Sequence, residues 1–242
     1  MMLASFLVLV VCFVVCYLIG SIPWGVIVSR LFFGKDIRKE GSGNIGATNA
    51  VRTMGAAGGA IVFLLDFGKG VLAGTVGYFI FAHLLVTDYF DSTFLLFGMF
   101  SETAPQTFIA LEDGSVPILV SGVSFLGVVW GHIFSPWLLF RGGKGISAAV
   151  GCEFFVFGWL GVLCELGIFL VGVIATRYVS LGSILAAIAC PFIALWLLWG
   201  HWGAIILVTI AALTVLWAHS GNIKRLAKGT ESKLGRKGAA RA

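Results

Sequence analysis

Four short stretches hold residue types that could act on a phosphate. The first, "GSGNIGATNAVR" at 41–52, packs three glycines, Ser42, Asn44, Thr48 and Asn49 around a helix start, with Arg52 close behind. Glycines let backbone amides converge on one concavity, and a helix N-terminus adds partial positive charge, so this stretch suits an anion. Arg52 is near enough to add a bidentate contact. Gly41, Gly43 and Gly46 also match G-x-G-x-x-G literally, but a dinucleotide fingerprint needs a βαβ unit, and this stretch lies between two apolar helices.

The second stretch, "FRGGKG" at 140–145, joins another helix end to a helix start. It is not a P-loop, because it lacks the four-residue gap between glycines and the Ser or Thr after the Lys. The amides of Gly142, Gly143 and Gly145 with the charges of Arg141 and Lys144 could still hold a phosphate. In the third, "HSGNIKRLAKGTESK" at 219–233, His219 and Asn222 are three apart and share a face if helical, which makes His219 a candidate acid, base or orienting group. Ser180 in "TRYVSLGS" completes the set beside Arg177. Taken singly, each has an ordinary alternative: a capped polar loop, a cationic membrane anchor, a surface histidine.

The elements that position these clusters follow from composition. A chain of 242 residues that is 59% hydrophobic and 11% charged is a polytopic, all-α membrane protein. Each crossing needs about 20 apolar residues so that every backbone amide is satisfied without water. Seven spans are expected, near 2–29, 57–85, 116–138, 146–159, 161–177, 180–199 and 202–218, the fourth and fifth divided at "FGWLG". The first has no basic region before it and no evident cleavage site, so it reads as a retained helix.

Lys and Arg fall at 30–52, at Lys69, at Arg141 and Lys144, at Arg177 and from Lys224 onward, whereas 86–116 holds five acidic residues and no basic one. Positive charge concentrates in cytoplasmic loops, so the N-terminus is expected outside and the C-terminus inside. The expectation is one domain over 1–242, with 86–116 an extracytoplasmic loop and 220–242 a basic cytoplasmic tail, its end disordered and drawn to anionic lipid. All four polar clusters then face the cytoplasm, which implies a site there for a phosphorylated compound.

Cys12, Cys16, Cys152, Cys164 and Cys190 all fall in expected spans without metal-ligand spacing, so they read as buried thiols, and neither metal nor cofactor is expected. His83 and Asp88 show the H-x4-D spacing of some acyltransferases, but at the outer end of the second span, away from cytoplasmic donors.

With "GSIPWG", "GSGNIGATN" and Arg52, "DFGKG", "GHIFSPW" leading to "FRGGKG", "RYVSLGS" and "HSGNIKRLAKGTE" in order, the chain closely resembles the bacterial acyl-phosphate:glycerol-3-phosphate acyltransferases, the PlsY family. The resemblance implies a seven-helix bundle in the bacterial cytoplasmic (inner) membrane. It also implies transfer of a fatty acyl chain from acyl phosphate to the sn-1 hydroxyl of glycerol 3-phosphate, giving lysophosphatidic acid for phospholipid synthesis. By the same resemblance, Ser42, Asn44, Thr48, Asn49 and Arg52 would line the site and hold substrate phosphate. Gly142, Gly143, Lys144 and Gly145 would bind a phosphate, Ser180 would match a polar site position, His219 and Asn222 would stand at the reacting groups, and Glu231 would match an acidic position. The implied partners are acyl phosphate, glycerol 3-phosphate and membrane lipid, with no nucleic acid.

Two features depart from the family pattern. Residues 86–116 are longer than its short connection, and Ser147 in "RGGKGIS" stands near where a Thr is usual. The rival class is a transporter of a phosphorylated solute, which should carry ionisable groups along a path at mid-membrane. Glu153 and Glu165 are the only acidic residues in the later spans and read as structural.

Overall fold

The computed structural model describes residues 2–82, 84 and 115–235, and these are helical with short turns and no strand. In chain order the helices are α1 (Met2–Ser21), α2 (Trp24–Phe33), α3 (Ala47–Thr75, wound on as a π-helix over Val76–Phe81), α4 (Ser115–Ile133), α5 (Ile146–Thr176), α6 (Val179–Leu197), α7 (Trp202–Ala218) and α8 (Ser220–Ala227). Among the described residues, five apolar stretches are long enough to cross a membrane: Phe6–Phe33, Ala47–Phe81, Val116–Leu138, Ile146–Thr176 and Val179–Leu197. Joining α7 to α8 across their 51° bend makes a sixth.

Glycine decides where these helices break. Gly55 (φ 76°, ψ −176°) and Gly158 (φ 63°, ψ −166°) lie inside α3 and α5 in a backbone region that side chains exclude. A β-carbon on Gly59 would stand 3.1 Å from Val51 N, although eight residues of straight helix span about 12 Å. The chain therefore folds back at Gly55. Across Gly158 the carboxyl groups of Glu153 and Glu165, twelve residues apart, engage each other directly, so α5 also turns there, inside the "FGWLG" where the sequence divides the fourth span from the fifth. The first span differs from expectation in another way: it breaks at Ile22 and Pro23, because Pro lacks the amide that would continue the helix.

Helix α4 is the centre of the bundle, packed on α1, α3, α5 and α7. Its glycines permit a close crossing with α1, since a β-carbon on Gly131 would lie 2.1 Å from Tyr17 O. The main core runs through Cys12, Cys16, Val128, Val129, Cys152, Cys190, Val208 and Ala211. All five cysteines are free thiols, and only Cys164 is partly exposed. A smaller core of Val28, Ile37, Ile45, Ala50, Met54 and Leu138 seats the loop after α2 against α3. Most of the 86–116 segment, the His83 and Asp88 pair, and the chain after residue 235 lie outside the described residues.

Candidate active site

The first loop is organised by one buried amide. Asn49 is 2% exposed. Its Oδ1 accepts the Ser42 N–H at 2.8 Å, and its Nδ2 donates to the carbonyls of Ile37 (3.2 Å), Glu40 (3.1 Å) and Asn44 (2.8 Å). Asn44 Oδ1 in turn accepts the Gly46 N–H at 2.8 Å, closing an Asx turn. Asn49 thus spends its amide hydrogens on its own loop and holds that loop in shape. Gly41 (φ 58°) must lack a side chain, because a β-carbon there would meet Asn49 Oδ1 at 2.2 Å.

Around this frame Ser42, Thr48 and Arg52 are exposed, and α3 begins at Gly46 without a side-chain cap, leaving the amides of Ala47 and Thr48 without helical acceptors. Arg30 and Arg38 pair with Asp36, and Lys35 with Glu40. Among the described residues Arg52 pairs with no carboxylate, so its charge is available to a ligand.

In the second loop the glycine amides are already used. Gly142 N–H donates to Ile133 O (2.9 Å) and Gly143 N–H to His132 O (3.0 Å), folding the loop back onto the end of α4. The two glycines permit this close return, and Lys144 next to them precedes the uncapped start of α5 after Gly145 (φ 86°), where a cation and helix-start amides suit an anion.

Lys144 Nζ donates to Asn222 Oδ1, which joins the second cluster to the third. Asn222 Nδ2 donates to Glu231 Oε1 (2.8 Å), Ser180 Oγ donates to the same oxygen (2.9 Å), and Arg225 Nε donates to Glu231 Oε2 (2.7 Å). Ser180 thus meets the third cluster on the Glu231 carboxylate, and Lys144 joins it one residue away through Asn222. His219 stands where α7 bends into α8, and its Nδ1 lies 2.8 Å from Val215 O. A carbonyl can only accept, so Nδ1 carries the proton and Nε2 keeps a free lone pair.

Burial sets the charge states. It brings Lys144 down to about 8, with Glu231 opposing and Arg225 and Arg52 reinforcing the shift. Arg52 is the member of the first loop that reaches this group electrostatically. Burial, then the Lys144 charge, holds His219 down at about 4, so it is neutral at pH 7. For Glu231 burial alone would raise the pKa, but hydrogen bonds from Arg225, Asn222 and Ser180 outweigh it and keep the group ionised.

The first part of the 220–242 tail has structure of its own. Ser220–Ala227 is helical, and farther on Leu234 N–H donates to Arg177 O (2.7 Å) while Lys233 lies 5.3 Å over the Tyr178 ring. Sequence reasoning missed a buried group beneath the second loop, Asp66, Lys69 and His132. Its signal was present in "DFGKG", an opposite-charge pair at i, i+3 inside an apolar run.

The glycerol-3-phosphate acyltransferase family model matches residues 10–229. A glycerol-3-phosphate acyltransferase of Chlorobaculum tepidum is 38% identical over 244 residues, covering 91% of this chain and 94% of that one. Another, from Desulforamulus reducens, is 38% identical over 221 residues, covering 91% and 92%. The crystal structure of PlsY (YgiH), an integral membrane glycerol 3-phosphate acyltransferase, in its glycerol 3-phosphate form superposes with a TM-score of 0.69 at 30% identity, covering 96% of both chains. Its lysophosphatidic acid form gives 0.67 at 27% identity, with the same coverage. With matches over nearly its whole length, in sequence and in helical architecture, this chain belongs to the integral membrane glycerol-3-phosphate acyltransferase family.

Proposed function

We propose that this chain transfers a fatty acyl group from acyl phosphate to the sn-1 hydroxyl of glycerol 3-phosphate, forming lysophosphatidic acid and inorganic phosphate. The reading extends to a seven-pass bundle, counted with a turn at Gly158, whose site faces the cytoplasm. The observation that carries it is the joining of Lys144, His219, Asn222, Ser180 and Glu231 into one group within electrostatic reach of Arg52. Lys144 and Arg52, with the uncapped starts of α3 and α5, supply positive potential for two phosphate-bearing substrates.

Acyl phosphate is a mixed anhydride with a good leaving group, so alignment and charge neutralisation are the main catalytic tasks. The hydroxyl oxygen bonds to the acyl carbon, the acyl carbon to phosphate oxygen bond breaks, and phosphate departs with the electron pair. The hydroxyl proton passes to His219 Nε2 or to the departing phosphate. No covalent nucleophile is required. Ser42 and Thr48 contribute hydroxyls at the start of α3, while Asn44 and Asn49 keep that loop in shape.

Reconstituted protein supplied with acyl phosphate and glycerol 3-phosphate should release phosphate as lysophosphatidate forms, and Lys144→Ala should lower kcat/KM about tenfold or more while leaving turnover measurable. His219→Ala that retains near wild-type turnover would assign the proton to phosphate. Uptake of glycerol 3-phosphate into vesicles without acylation would replace the enzyme by a transporter.

A further inference from the structure

Beneath the Gly142–Gly143 turn lies a charged group in an otherwise apolar interior. Lys69 Nζ stands 2.8 Å from Asp66 Oδ1 and donates to Ile22 O at 2.8 Å, at the break between α1 and α2. His132 Nδ1 is 3.6 Å from the same Asp66 oxygen, and all three residues are at most 4% exposed. Charges in such surroundings are costly to keep unless closely paired. On its other edge the imidazole touches the loop: a β-carbon on Gly143 would fall 2.1 Å from His132 Nε2. The carbonyls of His132 and Ile133 hold the Gly143 and Gly142 amides, and Lys144 is the next residue.

We infer that Asp66 and His132 are positioning residues for Lys144. The Asp66–Lys69 pair fixes the imidazole, and the imidazole with its own carbonyl forms the floor on which the two glycines seat Lys144 against Asn222. This rests on the acyl-transfer reading only for its kinetic assay.

The test compares three variants with wild type in lipid. Lys144→Ala identifies which substrate's KM the lysine controls. The pair Asp66→Asn with Lys69→Met removes both charges at once, so no buried ion is stranded, and Gly143→Ala presses on His132 without touching a charge. Each of the latter two should raise that same KM about tenfold or more, with a smaller change in kcat. In a Lys144→Ala background the Asp66→Asn, Lys69→Met pair should add less than about twofold. Full multiplication in that background, or an equal rise in both substrates' KM values, would overturn the inference.

A second readout does not depend on the reaction. The rate at which an amine reagent modifies Lys144, followed by mass spectrometry, should rise several-fold in both loop-disturbing variants. An unchanged rate would reject positioning, whereas loss of acyl transfer by wild type would reject only the proposed function.

Discussion

At pH 7 Lys144 keeps its proton and His219 lacks one, and both facts come from the same burial. Lys144 is lowered from its ordinary range to about 8, so in the free protein its charge is lost as pH rises through that value. The kcat/KM of the substrate it holds should therefore fall above pH about 8. A bound phosphate favours the ammonium, which places the alkaline limb of kcat at higher pH. His219 is neutral down to about 4, so an acid limb between pH 5 and 7 belongs to substrate phosphate, whose second ionisation is near 6. Glu231→Gln keeps an acceptor for Ser180 and Asn222 but removes the charge that raises Lys144. Its alkaline limb should move to lower pH, and a limb that stays put or moves up would show that Lys144 is not the titrating group.

At the scale of elements, helix existence was legible and helix shape was not. Apolar runs near bilayer length marked the spans because hydropathy sums over many residues. The turn at Gly158 was visible in "FGWLG", but the reversal at Gly55 was not, because a Gly among alanines and glycines carries no local signal of a left-handed conformation. The candidate site was legible as a set of motifs, since cations, glycines and hydroxyls collect where helices begin. Their division of labour was hidden: that Asn49 serves its own loop and that Gly142 and Gly143 spend their amides on α4 depends on who stands opposite. The turns make a prediction of their own. A β-carbon at Gly55 or Gly158 meets nothing within 4 Å, so alanine there costs backbone strain alone, about 1–3 kcal/mol. Both variants should unfold at lower temperature in detergent, and no change at either position would argue for a straight helix there.

Over the whole molecule, the proposed function requires the 41–52 loop, the 140–145 loop and the start of α8 to share one membrane face, and the geometry already joins two of them through Lys144 and Asn222. In the orientation expected from positive charge, that face would be the cytoplasmic one. Native thiols give a low background for testing it, because Cys12, Cys16, Cys152 and Cys190 are buried and Cys164 lies within the apolar α5. Exposed positions are available in Ser42 and Ser220. With Ser42→Cys or Ser220→Cys, a membrane-impermeant maleimide should label inside-out vesicles and leave intact spheroplasts unlabelled until they are opened. Labelling of both from outside would invert the topology. Labelling of the two from opposite sides would separate Ser42 from the His219 end of the site, and no single acyl-transfer centre could then contain both.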